Sequence, residues 1–333
     1  MSVALAYVIA GALLVAVTAY STAGGVDFGA GIWDLLAGHD ARGNEARELI
    51  DHSMAPVWEV NNVWLVLAIV LCWTGFPVLF EKVFLSLYPL FAIALIGLIL
   101  RGAFFAFRHI AEKPRDHRIA DLVFGVSSVV TPFFFAMTLG AIASGRVGAP
   151  GVNAWDASVS PMSIAFGLVS VCATAVSGAT FLIGDARREG APDLVDYFRV
   201  RALVAAGALV AVGTGALVTI AVQRRELLAA MLAFPAIAFV AAVMVLTPVI
   251  AFLLWRRLFT WYRVLSVAAV GSLVVAWGVA QSPYLLPGRL TIEQAASPVG
   301  TEVLLIVVAG VVGLVIGPAI GFLIYLDQRS ALE

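Results

Sequence analysis

Three ionisable residues stand where a lipid-embedded chain tolerates them least. Asp27 lies just beyond the first apolar run, Glu59 near the start of the second, and Arg101 inside the third. A charge beside lipid is costly, and where it is kept it usually serves proton, ion or ligand handling. Two carboxylates and a guanidinium at one end of neighbouring helices can take up and release protons through water. The same three groups can instead form a buried ion pair that only fixes helix register, with Arg101 bridging Asp27 or Glu59. Glu59 and Asn62, spaced i and i+3, share a helix face that can hold water. Asn61 is equally suited to an interhelical hydrogen bond, and Trp58 and Trp64 read as packing or interface aromatics.

The elements that must position these residues follow from composition. Of 333 residues, 62% are hydrophobic and 12% charged, against about 25% charged in soluble domains. Crossing a ~30 Å hydrocarbon core takes about 20 apolar residues. Such runs occur at 4–22, 56–76, 83–106, 120–143, 161–183, 200–222, 229–254, 263–280 and 303–325. Nine long runs without strict alternation predict an all-α polytopic membrane protein rather than a barrel. Residues 4–22 read as a retained span, because no Lys or Arg precedes Arg42 and a signal peptide carries a basic leading region. Segments 23–55, 107–119, 144–160, 184–199 and 281–302 are expected to be loops. The division is 1–155, holding the intramembrane polar cluster, and 156–333.

Lys and Arg set the orientation, since short cytoplasmic loops retain them. With the N-terminus outside and the C-terminus inside, fourteen of the 20 basic residues fall on the cytoplasmic side and five outside; the remaining one is Arg101. It precedes Arg108 by seven residues, about 10 Å along a helix. Asp27, Glu59 and Arg101 then share a similar depth.

Other chemistry is thinly represented. A net charge of -1 without a clustered basic face excludes a nucleic-acid partner. Cys72 and Cys172 have no metal or disulfide spacing. His39, His52, His109 and His117 all fall in loops or at span ends, so this chain is expected to bind no haem or other metal alone. Met137 and Met231 read as packing. The segment from Trp277 to Glu293 reads as a rigid interfacial turn. A secondary transporter is the alternative from another class, although no inverted repeat is evident.

The stretches VDFGAG, PVWEVNNVWLV, LILRGAFFAFRH, TPFFFAMTLGAIASG and WGVAQSPYLLPGRLTIEQAASP, in that order along the whole chain, resemble subunit II of cytochrome bd-type quinol oxidases of prokaryotic cell membranes. The resemblance implies two four-helix bundles plus one peripheral helix. It also implies a heterodimer with subunit I, which carries two b-type haems, haem d and the quinol-oxidising loop. Subunit II would support that partner and supply part of a cytoplasmic proton path. The matching positions are Asp27, Glu59 where the family commonly has Asp, and Arg101. Asn62 departs from a frequent Glu or Gln, which removes one candidate carboxylate. A structural quinone, a small accessory subunit, lipid and quinol are further partners that the resemblance allows. A bd-like anchor subunit working with another electron donor is a further alternative.

Overall fold

The computed structural model describes residues 2–38, 40–110, 114–259 and 261–330; side chains at 2, 54–60, 109–110, 114–115, 312 and most positions beyond 315 lie outside the described set. The helices are α1 (Ser2–Leu35), α2 (Ala41–Val70), α3 (Pro77–Ile110), α4 (Pro114–Ala143), α5 (Ala154–Ser158), α6 (Pro161–Arg188) and α7 (Pro192–Gln223). They continue with α8 (Arg225–Met231), α9 (Ala236–Trp255), α10 (Tyr262–Gln281), α11 (Ile292–Ala295) and α12 (Val299–Ser330). Seven of them are long and apolar enough to cross a membrane, and two shorter apolar stretches run over Asn61–Gly75 and Val299–Val315.

Helix α1 is the main departure from the expected boundaries. It does not stop near residue 22 but continues through the glycines to Leu35, and α2 begins at Ala41. The anticipated loop over 23–55 shrinks to a short turn. Asp40 caps α2, its carboxylate accepting from the Gly43 amide at 2.9 Å. The extension works because a helix satisfies its own backbone groups and because α1 becomes a central post, packing against α2, α4, α6, α10 and α12. Gly29 and Gly178 bring α1 and α6 into backbone contact: a Cβ on Gly29 would lie 2.0 Å from the Thr174 carbonyl oxygen. Four residues on, the Trp33 indole donates to the Ala175 carbonyl at 2.8 Å.

Two cores flank this post. One joins Val26, Ala30 and Trp33 of α1 to Leu182 and Ile183 of α6, Phe198 of α7 and Leu254 of α9. The other joins Ala6, Ile9 and Ala16 of α1 to Phe76, Leu87, Met137 and the segment before α12. Helix α2 ends in a π-helical turn, Leu71–Gly75, and α3 carries Pro89 with a non-helical Leu87, as expected of a proline-induced kink.

The expected run 229–254 is divided, since α8 ends at Met231 and α9 opens only at Ala236, after Pro235. Proline lacks the amide needed to continue a ladder, so it begins the new helix instead. The segment read as an interfacial turn folds as a hairpin, β1 (Tyr284–Leu286) antiparallel to β2 (Leu290–Thr291), followed by α11. Thr291 and Gln294 close a capping box there.

Candidate functional site

Asp27 and Arg101 meet inside the α1, α3, α4 assembly. Asp27 is 1% exposed and Arg101 is 1% exposed. The guanidinium grips the carboxylate at both oxygens, Nη1 to Oδ2 at 2.9 Å and Nη2 to Oδ1 at 2.8 Å. Nη2 also donates to the Asp27 carbonyl at 3.1 Å, and Nε to Ser128 Oγ of α4 at 3.0 Å. The rings of Phe28 and Phe124 lie 5.0 and 4.7 Å from the Arg101 carbon Cζ, a cation–π sandwich that holds a dehydrated guanidinium. Gly31 makes room: a Cβ there would stand 2.1 Å from Ser128 Oγ.

From α2, the Asn61 side chain hydrogen-bonds the Asp27 carboxylate, and its Oδ1 is buried without a partner. Asn61, rather than Asn62, therefore faces Asp27. Asn62 is half-buried, as is Trp64. The side chains of Trp58 and Glu59 lie outside the described residues, although their backbone belongs to α2.

A second tier of charge lies two helical turns further along, and sequence reasoning missed it. Arg108 donates from each nitrogen to a different carboxylate: Nη2 to Asp34 of α1 at 2.7 Å, Nη1 to Asp51 of α2 at 2.6 Å, and Nε to Asp121 of α4 at 2.7 Å. Arg47 Nε approaches Asp34 Oδ1 at 3.6 Å. Asn44, Arg47, Glu48, Asp51, Arg108, His117 and Asp121 line a polar hollow of about 310 Å³. The signal was present in the spacing. Asp27 and Asp34 on α1, Arg101 and Arg108 on α3, and Ser128 and Asp121 on α4 are each seven residues apart, which places them on one helix face two turns apart. Because α1 and α3 run the same way and α4 the opposite way, the two tiers align.

Among the described residues no group of three or more His, Cys, Asp or Glu side chains is arranged as a metal site. The three carboxylates of the lower tier already enclose a guanidinium. His52 and His117 occupy exposed positions, while His39 and the His109 side chain lie outside the described residues; Met137 packs in an apolar core, and the hollow is walled by charged side chains. These residues do not fit a haem held between helices or an apolar quinone ring.

Fold and site together define a polytopic helical membrane protein with a fully buried ion pair two helical turns from a cluster of charged side chains. The family described as cytochrome bd terminal oxidase subunit II matches residues 5–326, and the chain belongs to that family. It is 31% identical over 109 residues to the cytochrome bd ubiquinol oxidase subunit 2 of Bacillus subtilis (strain 168), a stretch covering 33% of this chain and 31% of the relative. It is 25% identical over 185 residues to the cytochrome bd-I ubiquinol oxidase subunit 2 of Escherichia coli (strain K12), covering 53% of this chain and 47% of that protein. The matches thus span less than half the length of these relatives. In three dimensions, a chain of the bd oxidase from Geobacillus thermodenitrificans superposes with a TM-score of 0.74 at 22% identity, over 97% of this chain and 98% of that one, a likeness of fold.

Proposed function

We propose that this chain is the haem-free subunit II of a bd-type terminal oxidase that couples quinol oxidation to reduction of oxygen to water. On this reading it supports subunit I, which holds two b-type haems and haem d, and contributes a cytoplasmic proton path through Asp27, Glu59 and Arg101, with Asn61 and Asn62 beside it. The seven long helices and the two shorter apolar stretches make nine spans, grouped as bundles in 1–155 and 156–333 plus a last peripheral helix. The N-terminus is outside and the C-terminus inside, so the Arg108 tier faces the cytoplasm. A small accessory subunit, lipid and quinol complete the partners.

The observation that carries the path is the alignment of a buried carboxylate, Asp27 of α1, gripped from α3, with a charged hollow lined by α2, α3 and α4 two turns further along. Arg101 holds Asp27 in one orientation, and Asn61 keeps a polar group on its other side. Complete engagement of the Arg101 guanidinium favours a second reading, in which the pair only locks register. Asp27→Asn and Glu59→Gln, each measured in the complex with its partner subunit, separate the two. A proton path predicts quinol-driven oxygen uptake slowed at least tenfold with haem absorbance retained. Normal turnover in both variants refutes the path, and loss of haem absorbance supports the structural tie.

A further inference from the structure

We propose that the Arg108 tier is the proton-loading site of this chain, with buried Asp34 as the acceptor and Phe124 as the apolar seal between it and Asp27. The proposal rests on the proton path above and adds where that path is filled and where it is interrupted.

Charge balance comes first. Among the described side chains, Arg47 and Arg108 bring two positive charges to three carboxylates, Asp34, Asp51 and Asp121, an excess of one negative charge within this set. The upper tier, Asp27 with Arg101, is already balanced. Glu48 and His117 also line the hollow, and Glu48 adds to the attraction for protons. Among the described residues, the charged groups facing Asp34 are Arg47 and Asp51 from α2, Arg108 from α3 and Asp121 from α4.

The second observation concerns Asp34 itself. Its side chain is 0% exposed, whereas those of Asp51 and Asp121 are 33% and 28% exposed. Only Oδ2 is hydrogen-bonded. Oδ1 is buried with no hydrogen bond, and so is Arg47 Nε at 3.6 Å from it. A carboxylate oxygen one side chain behind a polar hollow, held by an ion pair with Arg47 but by no hydrogen bond, is the place where a proton can be received without first breaking a hydrogen bond, because buried polar atoms otherwise find partners in protein or water.

Phe124 lies between the tiers. Its ring centroid is 4.7 Å from Arg101 Cζ and 5.2 Å from Arg108 Cζ, and the residue is 1% exposed. A ring carbon of Phe124 lies 3.3 Å from where a Cβ on Gly31 would stand, and Gly31 sits between Asp27 and Asp34 on α1. In the transfer, a hydrated proton from the hollow adds to the Asp34 carboxylate and leaves water behind. The neutral acid then yields the proton to a second water, which carries it past a displaced Phe124 ring to the Asp27 carboxylate, and Asp34 returns to its ionised form.

The test uses the intact complex reconstituted in vesicles, with quinol-driven oxygen uptake and cytoplasmic proton uptake followed by a pH dye. Asp34→Asn is expected to lower both at least tenfold with haem absorbance unchanged, and Asp34→Glu to restore most of the rate with a moved pH profile. If Asp34→Asn turns over normally while Asp27→Asn is slow, the loading site is wrong and the path stands; if both turn over normally, both readings fall. Should Asp34→Asn assemble without haem, Asp34→Glu carries the measurement. An unmoved pH profile then overturns the loading role, since a simple tie has no reason to move it. Phe124→Ala, combined with Asp34→Asn, is expected to shrink the loss to a few-fold, because water then reaches Asp27 directly. An undiminished loss places no seal at Phe124.

Discussion

Replacing Asp27 by Asn removes one charge from a site where both partners are 1% exposed. Two charge-assisted hydrogen bonds, at 2.8 and 2.9 Å, are lost as such, and Arg101 is left dehydrated. Breaking a buried pair in this way costs about 3–5 kcal/mol. The Asp27 carbonyl, Ser128 Oγ and two aromatic faces still hold the guanidinium, so the expected cost is near the lower bound, about 3 kcal/mol. Replacing both partners by apolar residues, Asp27→Leu with Arg101→Met, leaves no orphaned charge and is expected to return stability to within about 1 kcal/mol of the parent. Thermal unfolding of the purified complex, followed by circular dichroism, measures these variants together with Asp27→Leu and Arg101→Met alone, which complete the double-mutant cycle. A cost below about 1 kcal/mol for Asp27→Asn alone would refute the claim that the pair is dry and mutually dependent. Oxygen uptake by the stable double variant then separates the roles: retained turnover marks a structural tie, and lost turnover in a well-folded complex marks a working carboxylate.

Gly29→Ala places a Cβ 2.0 Å from the Thr174 carbonyl oxygen, backbone that cannot swing aside. It should therefore destabilise at or above the roughly 1–3 kcal/mol of ordinary overpacking, whereas Gly11→Ala, with nothing within 4 Å, should be neutral or slightly stabilising in the same unfolding experiment. Gly31→Ala displaces Ser128 and should cost turnover through Arg101, while Gly213→Ala, equally open around its Cβ, should not. Trp33→Phe removes the 2.8 Å indole donor to the Ala175 carbonyl, which keeps its helical bond within α6, and is expected to lower stability by about 0.5–1.5 kcal/mol, visible as a lower unfolding midpoint.

Much of the fold was legible because hydrophobic length is a strong signal: seven of the nine expected runs correspond to long apolar helices, and the other two to shorter apolar stretches. Boundaries were less legible wherever polar residues continue a helix. The stretch from Gly24 to Leu35 scores as loop because it contains glycines and two aspartates. It is helical because those glycines admit α6 and Ser128, and because Arg101 and Arg108 neutralise the aspartates. The pairing of Asp27 with Arg101 was among the readings, since charge rarity picks out both residues. Asp34, Asp51 and Asp121 escaped notice because they lie in or beside segments read as loops, where carboxylates are ordinary. Asn61 and Asn62 are adjacent, and composition alone does not say which one a helix turns inward; only the packing of α2 on α1 decides it.

The seven-residue separation of the two tiers also has an electrical meaning. Along α1 it amounts to about 10 Å, on the order of a third of a ~30 Å hydrocarbon core. Moving one elementary charge across a full membrane held at 100 mV involves about 2.3 kcal/mol, so a charge passing from Asp34 to Asp27 would experience roughly 0.8 kcal/mol of that work. On the proposed path and orientation, proton transfer between the tiers would therefore be voltage-sensitive, and an energised membrane with a negative interior would disfavour that step by up to about fourfold relative to a collapsed one.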